Sequence, residues 1–72
     1  MFMFNGVGYN IRSNIMDGES LTHVTVNPMP PMLSKVLQYF SDNELSSTAQ
    51  NDENSCFGKI VYLGSNNFYI QH

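Results

Sequence analysis

Charge is scarce in this chain. Asp, Glu, Lys and Arg make up 12% of its 72 residues, against roughly 25% in an average soluble domain. The basic residues are Arg12, Lys35 and Lys59, scattered along the sequence, and the net charge is -3. No basic stripe exists to attract a phosphate backbone, which speaks against nucleic-acid binding driven by counterion release. The six acids are too few and too dispersed to imitate such a backbone. Cysteine is almost missing as well: Cys56 stands alone, so no internal disulfide forms, and a reduced cytosolic thiol is the default. His23 and His72 lack zinc-ligand spacing, and neither a metal nor a cofactor is expected. No segment approaches the roughly 18 apolar residues that cross a bilayer. "MFMFNGVGYN" has neither the basic start nor the continuous apolar run of a signal peptide. A soluble, cytoplasmic protein of one domain without a membrane partner is the expectation.

A chain of this length buries only about 60% of the surface its unfolded form exposes. Small domains compensate with disulfides, metals or further subunits. With the first two excluded, a second copy or another protein remains as support.

Two dipeptides, Asn5-Gly6 and Asp17-Gly18, suit the two-residue type I′ hairpin, whose central residues both need positive φ. Centring turns on them pairs Phe4 with Val7 and Phe2 with Tyr9, then Met16 with Glu19, Ile15 with Ser20, Ile11 with Val24 and Tyr9 with Val26. One face then gathers Phe2, Phe4, Val7, Tyr9, Ile11, Ile15, Val24 and Val26, with Ser13 and Thr22 as polar exceptions. The other gathers Asn10, Arg12, Asn14, His23 and Thr25, with Met1, Met3, Met16 and Leu21 as apolar outliers. A one-residue slip would turn the apolar set to water, so this register specifies a three-stranded meander over residues 1–26.

"NPMPPMLSKVLQYFSDNE" follows. Pro30-Pro31 fits the first turn of a helix, where backbone N–H groups lack partners. Leu33, Val36, Leu37 and Phe40 form one stripe, predicting a helix over 30–41. "SDNELSSTAQNDENS" shows no periodicity and reads as a polar loop over 42–55; Ser41 with Glu44 in capping-box form offers a short helical turn through Ala49 instead. "CFGKIVYLGSNNFYIQH" reads as a hairpin over 56–72. A turn at Ser65-Asn66 sets Leu63 against Phe68, Val61 against Ile70 and Tyr62 against Tyr69.

The order β-β-β-α-β-β predicts an α+β fold: an antiparallel sheet of four or five strands with one helix packed on one face. The uncovered face would carry Arg12 opposite His23, flanked by Asn10, Asn14 and Thr25, with Ile60, Tyr62 and Tyr69 joining from the second hairpin. Tyr and Arg are favoured at binding hot spots because each supplies large area with a polar handle. Arg12, His23, Tyr62 and Tyr69 are therefore the candidate protein-interaction residues.

Catalytic patterns fail on inspection. Cys56 and His72 are the only Cys–His pair in the second hairpin. Asp17/Glu19, Asp42/Glu44 and Asp52/Glu53 all fall in turns or loops, where they are solvated. "GVG" at 6–8 lacks the helix a dinucleotide fingerprint requires. One helix on a small sheet leaves no room for a substrate pocket of the usual 300–1,000 Å³. The expectation is a non-catalytic module that binds another protein and forms a homo-oligomer, with an inhibitor or regulator of bacterial, phage or mobile-element origin fitting its size. A nucleic-acid-associated protein stacking bases on the β-face aromatics, or a structural subunit of a larger assembly, is the alternative.

Overall fold

A computed structural model describes residues 1–72. The elements are β1 (Phe2–Phe4), β2 (Val7–Tyr9), β3 (Arg12–Met16), β4 (Leu21–Asn27), α1 (Pro31–Asp42), β5 (Ser46–Gln50), β6 (Ser55–Tyr62) and β7 (Asn67–Gln71). All strands join one antiparallel sheet in the order β2-β1-β5-β6-β7-β4-β3. The α+β class is as expected, but the sheet has seven strands instead of four or five.

The sheet is strongly curled, for a reason in its connectivity. β2 and β3 are its two edges, yet only Asn10 and Ile11 join them. A flat sheet of this size would hold its edges roughly 28 Å apart, while the chain from Tyr9 to Arg12 reaches at most about 11 Å. The edges must therefore come round to meet, giving a half-closed barrel of 26 × 24 × 20 Å. Between them runs a seam without a β-ladder. Val26 N–H donates to the Asn66 carbonyl on the β7 side, so by antiparallel alternation Ser13 and Ile15 turn their backbone groups to the seam. Asn51 bridges it: its Nδ2 donates to Ser13 Oγ at 3.0 Å. The Asn51 Oδ1 meanwhile accepts from the N–H groups of Glu53 and Asn54, at 2.9 and 2.8 Å, and shapes the β5–β6 turn.

The core lies inside the curl, closed by α1. Phe2, Phe4 and Phe68 meet edge to face, and Phe40 of the helix adds its ring to Phe4 at 5.3 Å. Leu33 and Leu37 are fully buried, with Val36 and Phe40 packed against the cluster. Each such side chain contributes about 1.5–3 kcal/mol on leaving water. The helix stripe and its proline start are as the spacing predicts. Asn43 ends the helix, its N–H and Nδ2 both donating to the Tyr39 carbonyl, and Glu44 at φ 53° turns the chain away.

Four expectations are corrected. The meander over 1–26 is split at Asn10–Ile11, so that its middle strand supplies both edges of the sheet. Asn5 and Gly6 do take positive φ, and Phe2↔Tyr9 and Phe4↔Val7 pair as predicted. Asp17 and Gly18 do not take positive φ; the loop is Asp17–Ser20, and Ile15 pairs with Val24 instead of Ser20. That shift is even in residues, so the faces survive: Ile15, Val24 and Val26 are buried, although Val7 is 53% exposed.

The polar loop over 42–55 contains β5, an interior strand between β1 and β6. Its alternation is carried by Ser47 and Ala49 inward, with Ser46, Thr48 and Gln50 outward. The helical turn through Ala49 does not form. Finally, the second hairpin is slipped by one residue: Tyr62 pairs with Phe68, Val61 with Tyr69 and Ile60 with Ile70. Gly64 supplies the left-handed position, at φ 85°, and centres the loop on Leu63–Asn66. An odd slip exchanges the faces, which decides what the outer surface carries.

Candidate outer-face site and the seam grooves

The helix fills the inside of the curl, so the sheet's outer face is uncovered. Register places four outward side chains in one row across four strands: Met16, His23, Tyr69 and Val61. His23 and Tyr69 are stacked, ring centroids 4.9 Å apart at 17°. The ring and its neighbours hide His23 Nε2 from solvent without giving it a hydrogen-bond partner. Met16 extends the row as an exposed apolar side chain, and Leu21 lies one row along on β4.

The four candidate residues separate into three environments. His23 and Tyr69 form the stack. Arg12 is on the same outer side but opposite Asn27, four residues from His23's partner Met16 and roughly 13 Å along the strand. The expected Arg12–His23 pair does not exist, because the β3–β4 loop is longer than a two-residue turn. Tyr62 is 4% exposed and faces inward. Its hydroxyl lies 3.0 Å from Ser34 Oγ, and its backbone N–H donates to Ser41 Oγ at 3.0 Å, tying β6 to the helix. Ile60 is inside with it. Tyr62 is thus an anchor of the core, withdrawn from any partner or stacked base. Val61 was missed as an outward residue, and only the position of Gly64 in "LGSNN" could have revealed it.

Cys56 and His72 are not brought together. Cys56 is buried beside the Ala49 carbonyl, 3.6 Å from it. Burial, and secondarily the negative charge of Asp17, push its thiol above the ordinary value of 9.0, so at neutral pH it is protonated and a poor nucleophile. His72 points elsewhere: its Nε2 lies 2.6 Å from Thr22 Oγ1, which donates in turn to Asp17 Oδ1 at 3.3 Å. That Asp–Thr–His arrangement has Thr22, with no exposed surface, at its centre, while Asp17 and His72 on either side are exposed. Together with the His72 N–H donating to the Ser20 carbonyl, it pins the β7 end to β4. No three His, Cys, Asp or Glu side chains gather as a metal site. No helix is long and apolar enough to cross a membrane.

The surface is not without cavities, contrary to expectation. Three grooves of about 580, 320 and 180 Å³ open around Arg12, the first two beside the seam and the smallest over the β3–β4 ladder. The curl of the sheet accounts for the two larger ones, where the chain before β1 and the β5–β6 turn come near β3 without joining it. Compared with family models, characterised proteins and solved structures, the chain matches none.

Proposed function

We propose that the chain is a non-catalytic protein-interaction module that docks through the row Met16–His23–Tyr69–Val61, and that the protein bound there is a second copy. The observation that carries this reading is the makeup of the row and its neighbours. Alongside it stand Asn14, Thr25 and Asn67 on one side and Leu21 and Gln71 on the other, none of them charged. Lys59 at the rim is engaged with Glu44 at 3.5 Å. A molecule of net charge -3 meets its own copy most easily across a patch whose one acid, Glu44, sits at the rim paired with Lys59, because few like charges are brought together there. The stacked Tyr69 supplies a rigid, amphipathic contact of the kind that dominates interface energy.

Sedimentation of the wild-type protein over a range of micromolar concentrations should show twice the chain mass. Tyr69→Ser and Met16→Lys should each shift it to the monomer with an unchanged circular dichroism spectrum. A wild-type monomer throughout that range, or a dimer indifferent to both substitutions, would sink the reading.

A further inference from the structure

We propose that the largest seam groove binds a monocarboxylate, with Arg12 as its receptor. This rests on a different part of the surface from the docking row and stands independently of it. The groove holds about 580 Å³ and is lined by Met1, Asn10, Ile11, Arg12, Asn27 and Pro28. That volume accommodates a small ligand, held from one side because the groove is open to solvent. Its composition is selective. The β3–β4 register sets Arg12 directly opposite Asn27, so guanidinium and amide flank one another on the same face. Asn10 brings a second amide from the β2–β3 link, while Ile11 and Pro28 give the groove apolar walls. No carboxylate lines it, although the protein carries a net negative charge.

Arg12 is also unoccupied. The ion pairs of this chain are Lys59 with Glu44 and the Met1 amine with Asp52, and neither engages Arg12. A guanidinium presents parallel N–H groups that match the two oxygens of a carboxylate, and two flanking amides add neutral donors. The Met1 amine, which also belongs to a residue lining the groove, is held by Asp52 at 3.8 Å. Arg12 is thus the one cation there without an acidic partner, and a single such cation with neutral helpers suits a single negative charge. A doubly charged phosphate is disfavoured by the same geometry, with Asp52 and Glu53 lining the adjoining groove. The ligand is therefore a planar carboxylate on a compact neutral body, either a small organic acid or the C-terminal end of a peptide.

The test is a titration of the isotopically labelled full chain followed by NMR. Acetate, N-acetyl-alanyl-alanine, the same dipeptide capped as its C-terminal amide, and inorganic phosphate are the probes. Saturable shifts of the Arg12 Nε–H and of the Asn10 and Asn27 side-chain amides are expected with the two carboxylates and not with the capped amide. Tighter binding of the dipeptide than of acetate identifies a peptide terminus as the source; equal binding identifies a small acid. Arg12→Gln should weaken the interaction about tenfold or more, and Arg12→Lys should restore only part of it, since the charge returns without the fork. Arg12 is exposed, so both variants should keep the wild-type backbone spectrum. The proposal is overturned by shifts that never saturate, by an equal response to the capped amide, by phosphate binding more tightly than either carboxylate, or by binding unchanged in Arg12→Gln.

Discussion

Removing the ring of Tyr62 should cost far more stability than removing that of Tyr69, and the difference tests the register on which the outer face depends. Tyr62 is enclosed beside Phe68 and Ile60, with its hydroxyl on Ser34 of the helix. Truncation of a buried aromatic to Ala costs about 3–5 kcal/mol. A chain of this size has a total stability of about 4–11 kcal/mol, so Tyr62→Ala should lose a large share of it. Tyr69 is half-buried and gives up chiefly its stack on His23. Its loss is about 1–2 kcal/mol.

Urea titration followed by far-ultraviolet circular dichroism measures both, with an unchanged slope confirming that only stability has moved. Should Tyr62→Ala leave too little folded protein to titrate, the hydroxyl alone gives the answer. Tyr62→Phe and Ser34→Ala should each cost about 1 kcal/mol, and the double variant little more than either single one, because they remove the same bond. Equal losses for Tyr62→Ala and Tyr69→Ala, or fully additive losses for Tyr62→Phe and Ser34→Ala, would refute the slipped hairpin and return Tyr62 to the outer face.

Two further outcomes follow from the seam and the core. Asn51→Ala removes both the donor to Ser13 and the acceptor that shapes the β5–β6 turn, and should cost about 1–3 kcal/mol; Asn51→Asp keeps the acceptor alone, so hydrogen exchange at Asn54 should stay near wild type there and rise in Asn51→Ala. Cys56 should resist thiol reagents in the native protein and react on unfolding. Because its folded pKa is raised above the ordinary 9.0, its contribution to stability is complete below that pH and falls as pH climbs from it toward the folded value; Cys56→Ala should shed that part of the alkaline decline in urea midpoints.

The sequence was most informative where local chemistry and burial asked for the same thing. Asn5-Gly6 could take the left-handed conformation that a type I′ turn requires, and the phenylalanines on its strand were needed inside. The helix had both a proline start and an apolar stripe. Asp17-Gly18 carried the same turn signal, yet tertiary pairing overrode it and set β4 against β7 with a longer loop. Even so, period-two alternation kept the core residues on their face, because the displacement was even. The second hairpin had no such protection. With apolar residues on both sides of "KIVYLG", either register buries something acceptable, and Gly64 settled the choice. That single step moved Tyr62 inward and Val61 outward, so one of the four candidate residues depended on one glycine. β5 was hidden for a different reason: Ser47 and Ala49 are small enough to face the core of a strongly curled sheet, but they give no hydrophobic signal in a stretch of Ser, Thr and Gln.

An open sheet has two edges, each a row of unpaired backbone groups on which a foreign strand can grow. In a flat sheet of this width those rows would look out into solvent in opposite directions. Here the two-residue link through Asn10 and Ile11 turns them toward one another across a single slot, with the Asn51 amide lying over it. A chain with few charges to keep copies apart has thus hidden most of its capacity for strand exchange by geometry. Lengthening the Asn10–Ile11 link would release both edges at once, and turn a closed fold toward fibres without altering a residue of its core.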